Sequence, residues 1–155
     1  MKIKDLLIIY PSLQKVEKAT HLKVKSVYGA AKAVKQIRSI LENYQTYRKS
    51  LYKSMGEIVE VQDPKNPEQK IPHPNGYMKI KPEFRNEFET KVEEYENQEE
   101  EIYEFKLYLS DLMTFPKNAD EKLKFSVEDI SNLMQWIIDD VNNDNGEVKE
   151  PAPTC

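Results

Sequence analysis

The chain has 155 residues, 39% of them apolar and 32% charged, which suits one domain and favours long amphipathic elements over a compact globule. Its single cysteine, Cys155, excludes an internal disulfide, and four glycines leave little for a phosphate-cradling loop. The net charge of −4 hides a split by position: residues 1–55 carry 12 Lys/Arg against three acids, a net of +9, whereas residues 56–155 carry a net of −13.

Residues 4–18 read as a short helix, because Leu6, Tyr10, Leu13 and Val16 recur at helical spacing. Pro11 removes a backbone donor there and predicts a kinked or two-part helix. The apolar run from Leu6 to Tyr10 is too short for the core of a signal peptide, and no stretch approaches the roughly 20 apolar residues of a membrane span.

Residues 23–55 carry the strongest helical pattern. Val27, Ala31, Val34, Ile37, Leu41, Tyr44, Arg48, Leu51 and Met55 step mostly by alternating fours and threes, a spacing close to a heptad. Gly56 is the expected C-cap. At 1.5 Å per residue such a helix is roughly 50 Å long, and it asks for a second long helix as partner.

Residues 57–81 read as an irregular hairpin, with strands at 57–61 and 77–80. Between them Pro64, Pro67, Pro72 and Pro74 exclude a helix and predict a stiff projecting loop over 62–76, and Asn75-Gly76 is a turn signal. Residues 82–100 predict a second long helix with Pro82 in its first turn. Phe84, Phe88, Val92 and Tyr95 form its apolar stripe, and its remaining surface is rich in glutamate. This acidic helix is the expected antiparallel partner of the basic one, with Val27, Val34, Ile37, Leu41, Phe84, Phe88 and Val92 as the shared core.

Residues 101–109 alternate as a strand, a turn follows at Phe115–Asn118, and Lys122–Phe125 adds a short strand. A last helix is predicted over 127–141, opened by Ser126-Val-Glu-Asp129, a capping box with Asp in place of Glu. The polar stretch 143–155 reads as a disordered tail behind a single elongated α-rich domain spanning 1–142. The fold class expected is α+β, mainly α: a long antiparallel helix pair with a small β-hairpin and a C-terminal helix.

Few residues carry a chemical signal. His21 and His73 lack neighbours at metal-ligand spacing and read as loop or surface histidines. The acidic run from Asp139 to Gly146 fails as a calcium loop, since neither register supplies both the glycine at position six and the glutamate at position twelve. The glutamates of 83–101 read as a solvated face rather than as paired catalytic carboxylates. A non-enzyme with no cofactor and no metal is expected. The interacting surface is assigned to Lys32, Lys35, Arg38, Arg48, Pro72, His73, Tyr77, Glu93, Glu94 and Glu96. Lys23, Lys25, Lys32, Lys35, Arg38, Arg48, Lys49 and Lys53, interleaved with Tyr28, Tyr44, Tyr47 and Tyr52, could instead track phosphates, which makes nucleic acid the weaker alternative partner.

The order of elements resembles a group of small helical proteins encoded by tailed bacteriophages. The residues that carry the resemblance are Tyr47-Arg48-Lys49-Ser50-Leu51-Tyr52 closing the long helix, then Ile71-Pro72 and Asn75-Gly76 in the hairpin. The helix beginning Phe84 to Phe88, the extended stretch Ile102–Leu112 and the final Ser126–Asp139 complete it. The resemblance implies a phage protein of virion assembly or host interaction, and it carries no catalytic residues. The function expected is therefore a non-enzymatic virion component or assembly factor acting through contacts with proteins, its own copies or virion proteins among them. Neither a membrane nor a small-molecule substrate is expected, and the host cytosol and the virion are the expected locations. The alternative is an acidic inhibitor of a host protein, acting through the glutamates of 83–101.

Overall fold

The structure, a computed structural model, describes residues 1–117 and 120–141, so the expected tail at 143–155 lies outside the described residues. The fold is α+β and mainly α. Its helices are α1 (Ile3–Lys18), α2 (Val24–Met55), α3 (Arg85–Glu96), α4 (Leu109–Met113) and α5 (Val127–Asn132). Its strands are β1 (Gly56–Ile58), β2 (Glu60–Asp63), β3 (Asn66–Pro72), β4 (Met78–Ile80), β5 (Leu107–Tyr108) and β6 (Ile137–Ile138). The chain divides into two compact units, Met1–Leu7 with Ile37–Glu101, and Ile8–Gln36 with the chain from Ile102 onward.

In the first unit the later part of α2 buries Ile37, Leu41, Tyr44, Leu51 and Met55, and the chain start buries Ile3 and Leu6. The antiparallel helix pair is present. Tyr44 meets Tyr95, Tyr47 stacks on Tyr95 at 4.6 Å, and Tyr52 meets Phe88 edge-on at 5.1 Å, so positions rise on α2 as they fall on α3. The seam is thus largely aromatic, where a mainly aliphatic core with Phe84 and Phe88 was expected. The reason is geometric: the tyrosines share the α2 face with the buried aliphatics, and the exposed lysines lie on other faces. Phe84, Phe88 and Val92 are half-buried, and no residue of α3 is fully buried.

The second helix is shorter than its pattern. A 3₁₀ turn at Pro82–Phe84 leads into α3, which ends at Glu96. Asn97 closes it through a side-chain bond to the Glu93 carbonyl. Residues 98–100 then extend against the chain start: Ile3 N donates to Gln98 O at 3.1 Å and Glu100 N to Met1 O at 2.8 Å. Backbone partners some 97 residues away in sequence take the place of the helical bonds expected there.

The hairpin is longer and better paired than expected. β1 pairs with β4 and β2 with β3, both antiparallel. Residues 66–72, read as loop because of their prolines, are a strand. Pro72 faces Glu60 and the neighbouring His73 N donates to Val59 O at 2.7 Å. Antiparallel pairs alternate, so Pro72 occupies a non-hydrogen-bonded site where its missing N–H costs nothing. Gly56 opens β1 and is not a left-handed cap, since Gly76 alone among the described residues has positive φ. A Cβ at Gly56 would stand 2.4 Å from the Tyr52 carbonyl oxygen and 3.0 Å from that of Lys79, so glycine is needed for close backbone approach.

In the second unit Ile9, Leu13, Val16, Ala30, Ala33 and Val34 are buried with Leu107, Leu112, Phe125, Leu133 and Trp136. Val27, expected in the core, is half-buried. β5 and β6 pair in parallel over two residues each. The alternating stretch 101–109 is a strand only at Leu107–Tyr108, and the expected strand near 122–125 holds a 3₁₀ turn at Glu121–Leu123. Helix α1 continues through Pro11, which lies on its exposed face with Lys4, Leu7 and Ile8, so the Leu7 carbonyl that loses its partner can face water.

The capping box is present: the Ser126 hydroxyl accepts from Asp129 N at 3.1 Å, and an Asp129 carboxylate oxygen accepts from Ser126 N at 2.9 Å. The helix it opens ends at Asn132 rather than 141. A 3₁₀ turn at Met134–Trp136 and β6 follow, which lets Trp136 stack on Phe105 at 5.2 Å.

Candidate contact surface

The first unit presents a knob on its hairpin. Val59, between β1 and β2, donates its N–H to Tyr77 O at 2.8 Å and accepts from His73 N at 2.7 Å, so one residue faces both ends of the 73–77 segment. That segment folds as a tight turn. Gly76 N donates to His73 O at 2.8 Å, and Gly76 takes φ of 64° with open space around it. His73 Nδ1 accepts from Asn75 N at 3.1 Å, and its ring meets the Tyr77 ring at 4.3 Å. Pro72, His73 and Tyr77, singled out in the sequence, therefore come together at one exposed place.

No residue from 56 to 80 is fully buried. Ile58 and Met78 face each other across the β1–β4 ladder, and Ile58 is 51% exposed, Met78 36% and Tyr77 58%. Lys79 pairs with Glu57 at 3.2 Å, which places one charge pair beside these apolar side chains.

On the helix pair, Glu96 is not a free surface acid, because it accepts from the Tyr44 hydroxyl. Burial first, then the Glu96 carboxylate, pushes the Tyr44 phenol up to about 12, with Arg48 opposing. The Arg48 guanidinium lies 5.8 Å from the Tyr44 ring, with its Nε buried and without a hydrogen-bond partner. Glu93 and Glu94 are exposed, as is Arg38. Lys91 pairs with Glu87 at 2.9 Å one helical turn away.

The second unit holds a cleft of about 570 Å³ between the start of α2, residues 23–29, and the segment 103–108. Gly29 lets the two walls meet, since a Cβ there would stand 2.4 Å from Phe105 Cβ. Ser26 Oγ donates to Lys106 O at 2.7 Å and ties them together. Lys23 Nζ lies 3.4 Å over the Tyr108 ring, and Lys32 Nζ lies 4.6 Å from the Tyr28 ring and 4.9 Å from that of Tyr103. The two tyrosines beside Lys32 raise its affinity for a proton, through the Tyr28 hydrogen bond first. Lys35 is exposed on the same helix.

Sequence reading named Lys23, Lys25, Tyr28 and Lys32 but missed Tyr103, Phe105, Lys106 and Tyr108. The two stretches lie about 80 residues apart, and no local pattern links them. His21, read as a surface residue, is half-buried and edge-on to Phe115 and Phe125 at 6.0 and 6.4 Å, with Nε2 buried and unpartnered. Among the described residues no group of three or more His, Cys, Asp or Glu could hold a metal ion. None of the described helices is long and apolar enough to cross a membrane. Comparison of the chain with protein-family models, curated proteins and solved structures finds no match in any of the three.

Proposed function

We propose that this protein acts by protein–protein contact rather than catalysis, with the 56–80 hairpin as its contact arm and further copies of the same chain as the first partner. The observation that carries this reading is the hairpin itself: residues 56–80, most of them in paired strands, hold no fully buried side chain and expose Ile58, Tyr77 and Met78. A two-stranded hairpin is marginal alone in water and gains most from being covered. The charge split supports contact between copies, because net +9 over residues 1–55 and net −13 over the rest give each chain surfaces of both signs. The resemblance to small tailed-phage proteins suggests the setting, a virion component or assembly factor working in the host cytosol.

The test is absolute mass by light scattering on a sizing column, at low and high salt, for the wild type and for Ile58→Lys with Met78→Lys. The expected result is a wild-type mass of several protomers and a variant mass near one. A wild type that stays monomeric across concentration and salt overturns contact between copies.

One observation favours a second reading, an acidic inhibitor of a host protein. Glu87, Glu89, Glu93 and Glu94 are all exposed on α3. Salt-sensitive inhibition of a nucleic-acid-binding host protein, abolished by Glu93→Lys with Glu94→Lys, is the result this reading requires.

A further inference from the structure

We infer that the cleft of the second unit binds single-stranded nucleic acid, with phosphates on its lysines and bases on its tyrosines. The cleft of about 570 Å³ falls within the size range of ligand sites. Its lining combines Lys23, Lys25 and Lys106 with Tyr28, Tyr103 and Tyr108, against one acid, Glu104. Lys23 also stands 3.7 Å from Asp111, so part of its charge is already engaged. Lys32 adds a cation next to the cleft.

Two features separate this arrangement from an ordinary solvated lysine face. Cations stand beside the rings, Lys23 over Tyr108 and Lys32 near both Tyr28 and Tyr103, so a positive charge lies next to each aromatic face. The rings are also open to solvent: Tyr28 is 61% exposed and Tyr103 41%. A strand entering the cleft draws each lysine toward a phosphate and leaves a tyrosine face for a base, the pairing that sequence-tolerant single-strand binders use. An acidic peptide satisfies the lysines equally well but gives the exposed rings no partner, which is why the strand is the ligand chosen. A duplex keeps its bases stacked inside and cannot use the rings at all. This inference stands apart from the hairpin and its role, since it rests on the other compact unit.

The experiment is fluorescence anisotropy of a labelled oligothymidylate with the full chain, across salt. With three or four lysines on phosphates, affinity should fall roughly 20- to 50-fold between about 50 and 200 mM salt. Tyr28→Ala and Tyr103→Ala, both at exposed positions, should each weaken binding roughly 5- to 100-fold with the helical circular dichroism unchanged. Lys25→Glu with Lys106→Glu should abolish it. Absence of binding at about 50 mM salt overturns the inference. So does binding that ignores both tyrosine substitutions, or that poly-glutamate of matched charge or a duplex competes away as well as the unlabelled strand does. Those last results would reassign the cleft to acidic protein or to charge alone.

Discussion

Lys15 Nζ lies 2.6 Å from Asp129 Oδ2, the same carboxylate that closes the capping box of α5. Ser12 Oγ donates to the other oxygen at 2.8 Å, so α1 grips the start of α5 through one acid that is 7% exposed. Burial alone would raise the Asp129 pKa. The bonds from Lys15, the Ser126 amide, Ser12 and the Ser126 hydroxyl outweigh it and hold the carboxyl down at about 2.

The sign of the pH dependence follows. The folded value lies below the unfolded value of 3.8, so this acid contributes its stability above pH about 4 and loses it as pH falls toward 2. The drop corresponds to about 2 kcal/mol at neutral pH. Asp129→Asn should destabilise by about that amount at pH 7 and flatten the loss between pH 4 and 2, as read by urea unfolding across pH. Lys15→Met, which leaves the acid buried beside weaker partners, should also destabilise at pH 7, by about 1–3 kcal/mol. An Asp129→Asn protein whose stability still falls as steeply below pH 4 contradicts the assignment.

Gly29 and Phe105 give a second check. The Cβ of Gly29→Ala would meet Phe105 Cβ at 2.4 Å and Cγ at 2.8 Å, atoms too near the backbone to swing aside. The segment 102–106 must then move, at a cost of about 1–3 kcal/mol. Phe105 stacks on Trp136, the one tryptophan of the chain, so its fluorescence should shift in the same variant. Unchanged emission and stability would mean that the two walls of the cleft are not packed as described.

The sequence patterns that proved reliable were those written in neighbouring residues. The periodicity of 23–55 is unbroken, and α2 runs from Val24 to Met55. The capping box needs only Ser126 and Asp129, and it forms. The antiparallel partnership of α2 with α3 was legible from two apolar stripes joined by a hairpin; the stripes already held Tyr44, Phe88 and Tyr95, whereas Tyr47 and Tyr52 lay outside them. What misled were segments whose structure is set by distant chain. Residues 97–100 look helical until Met1 and Ile3 bond to them. The prolines of 66–72 suggest a loop until the register puts Pro72 at a site that needs no donor. Of the contact residues chosen, Pro72, His73 and Tyr77 come together, while Glu96 is spent inside the molecule on Tyr44. The cleft was half visible, through Lys23, Lys25, Tyr28 and Lys32.

Tyr44 offers a prediction at the other end of the pH scale. Its phenol, pushed up to about 12 by burial and then by Glu96, should stay protonated well above its ordinary value of 10.0. A folded pKa above the unfolded value of 10.0 means that its contribution is complete below pH 10 and is lost as pH rises toward 12. Tyr44→Phe should remove one late step from the absorbance titration of tyrosinate and cost about 1 kcal/mol. A lost step that falls near pH 10 instead of near 12 would show that Tyr44 is not held by Glu96.

Gly56 and Gly76 separate two reasons for a glycine, and substituting each should separate them in the test tube. At Gly56 the obstacle is backbone: an added Cβ stands 2.4 Å from the Tyr52 carbonyl oxygen, and neither atom belongs to a side chain that can rotate away. Gly56→Ala must therefore shift the junction of α2 with β1 or break the first rung of the β1–β4 ladder, where Gly56 faces Ile80. At Gly76 nothing lies within 4 Å, and only φ of 64° resists, so Gly76→Ala costs about 1–2 kcal/mol of local strain. Because the hairpin buries none of its residues, that strain stays in the knob: it should speed amide exchange of residues 73–77 and leave the Tyr52–Phe88 seam intact. Gly56→Ala should instead loosen β1 and β4 together, speeding amide exchange along both strands. Equal and local effects of the two substitutions would refute this division, and with it the view that the hairpin is anchored to the end of α2 by close backbone approach at Gly56.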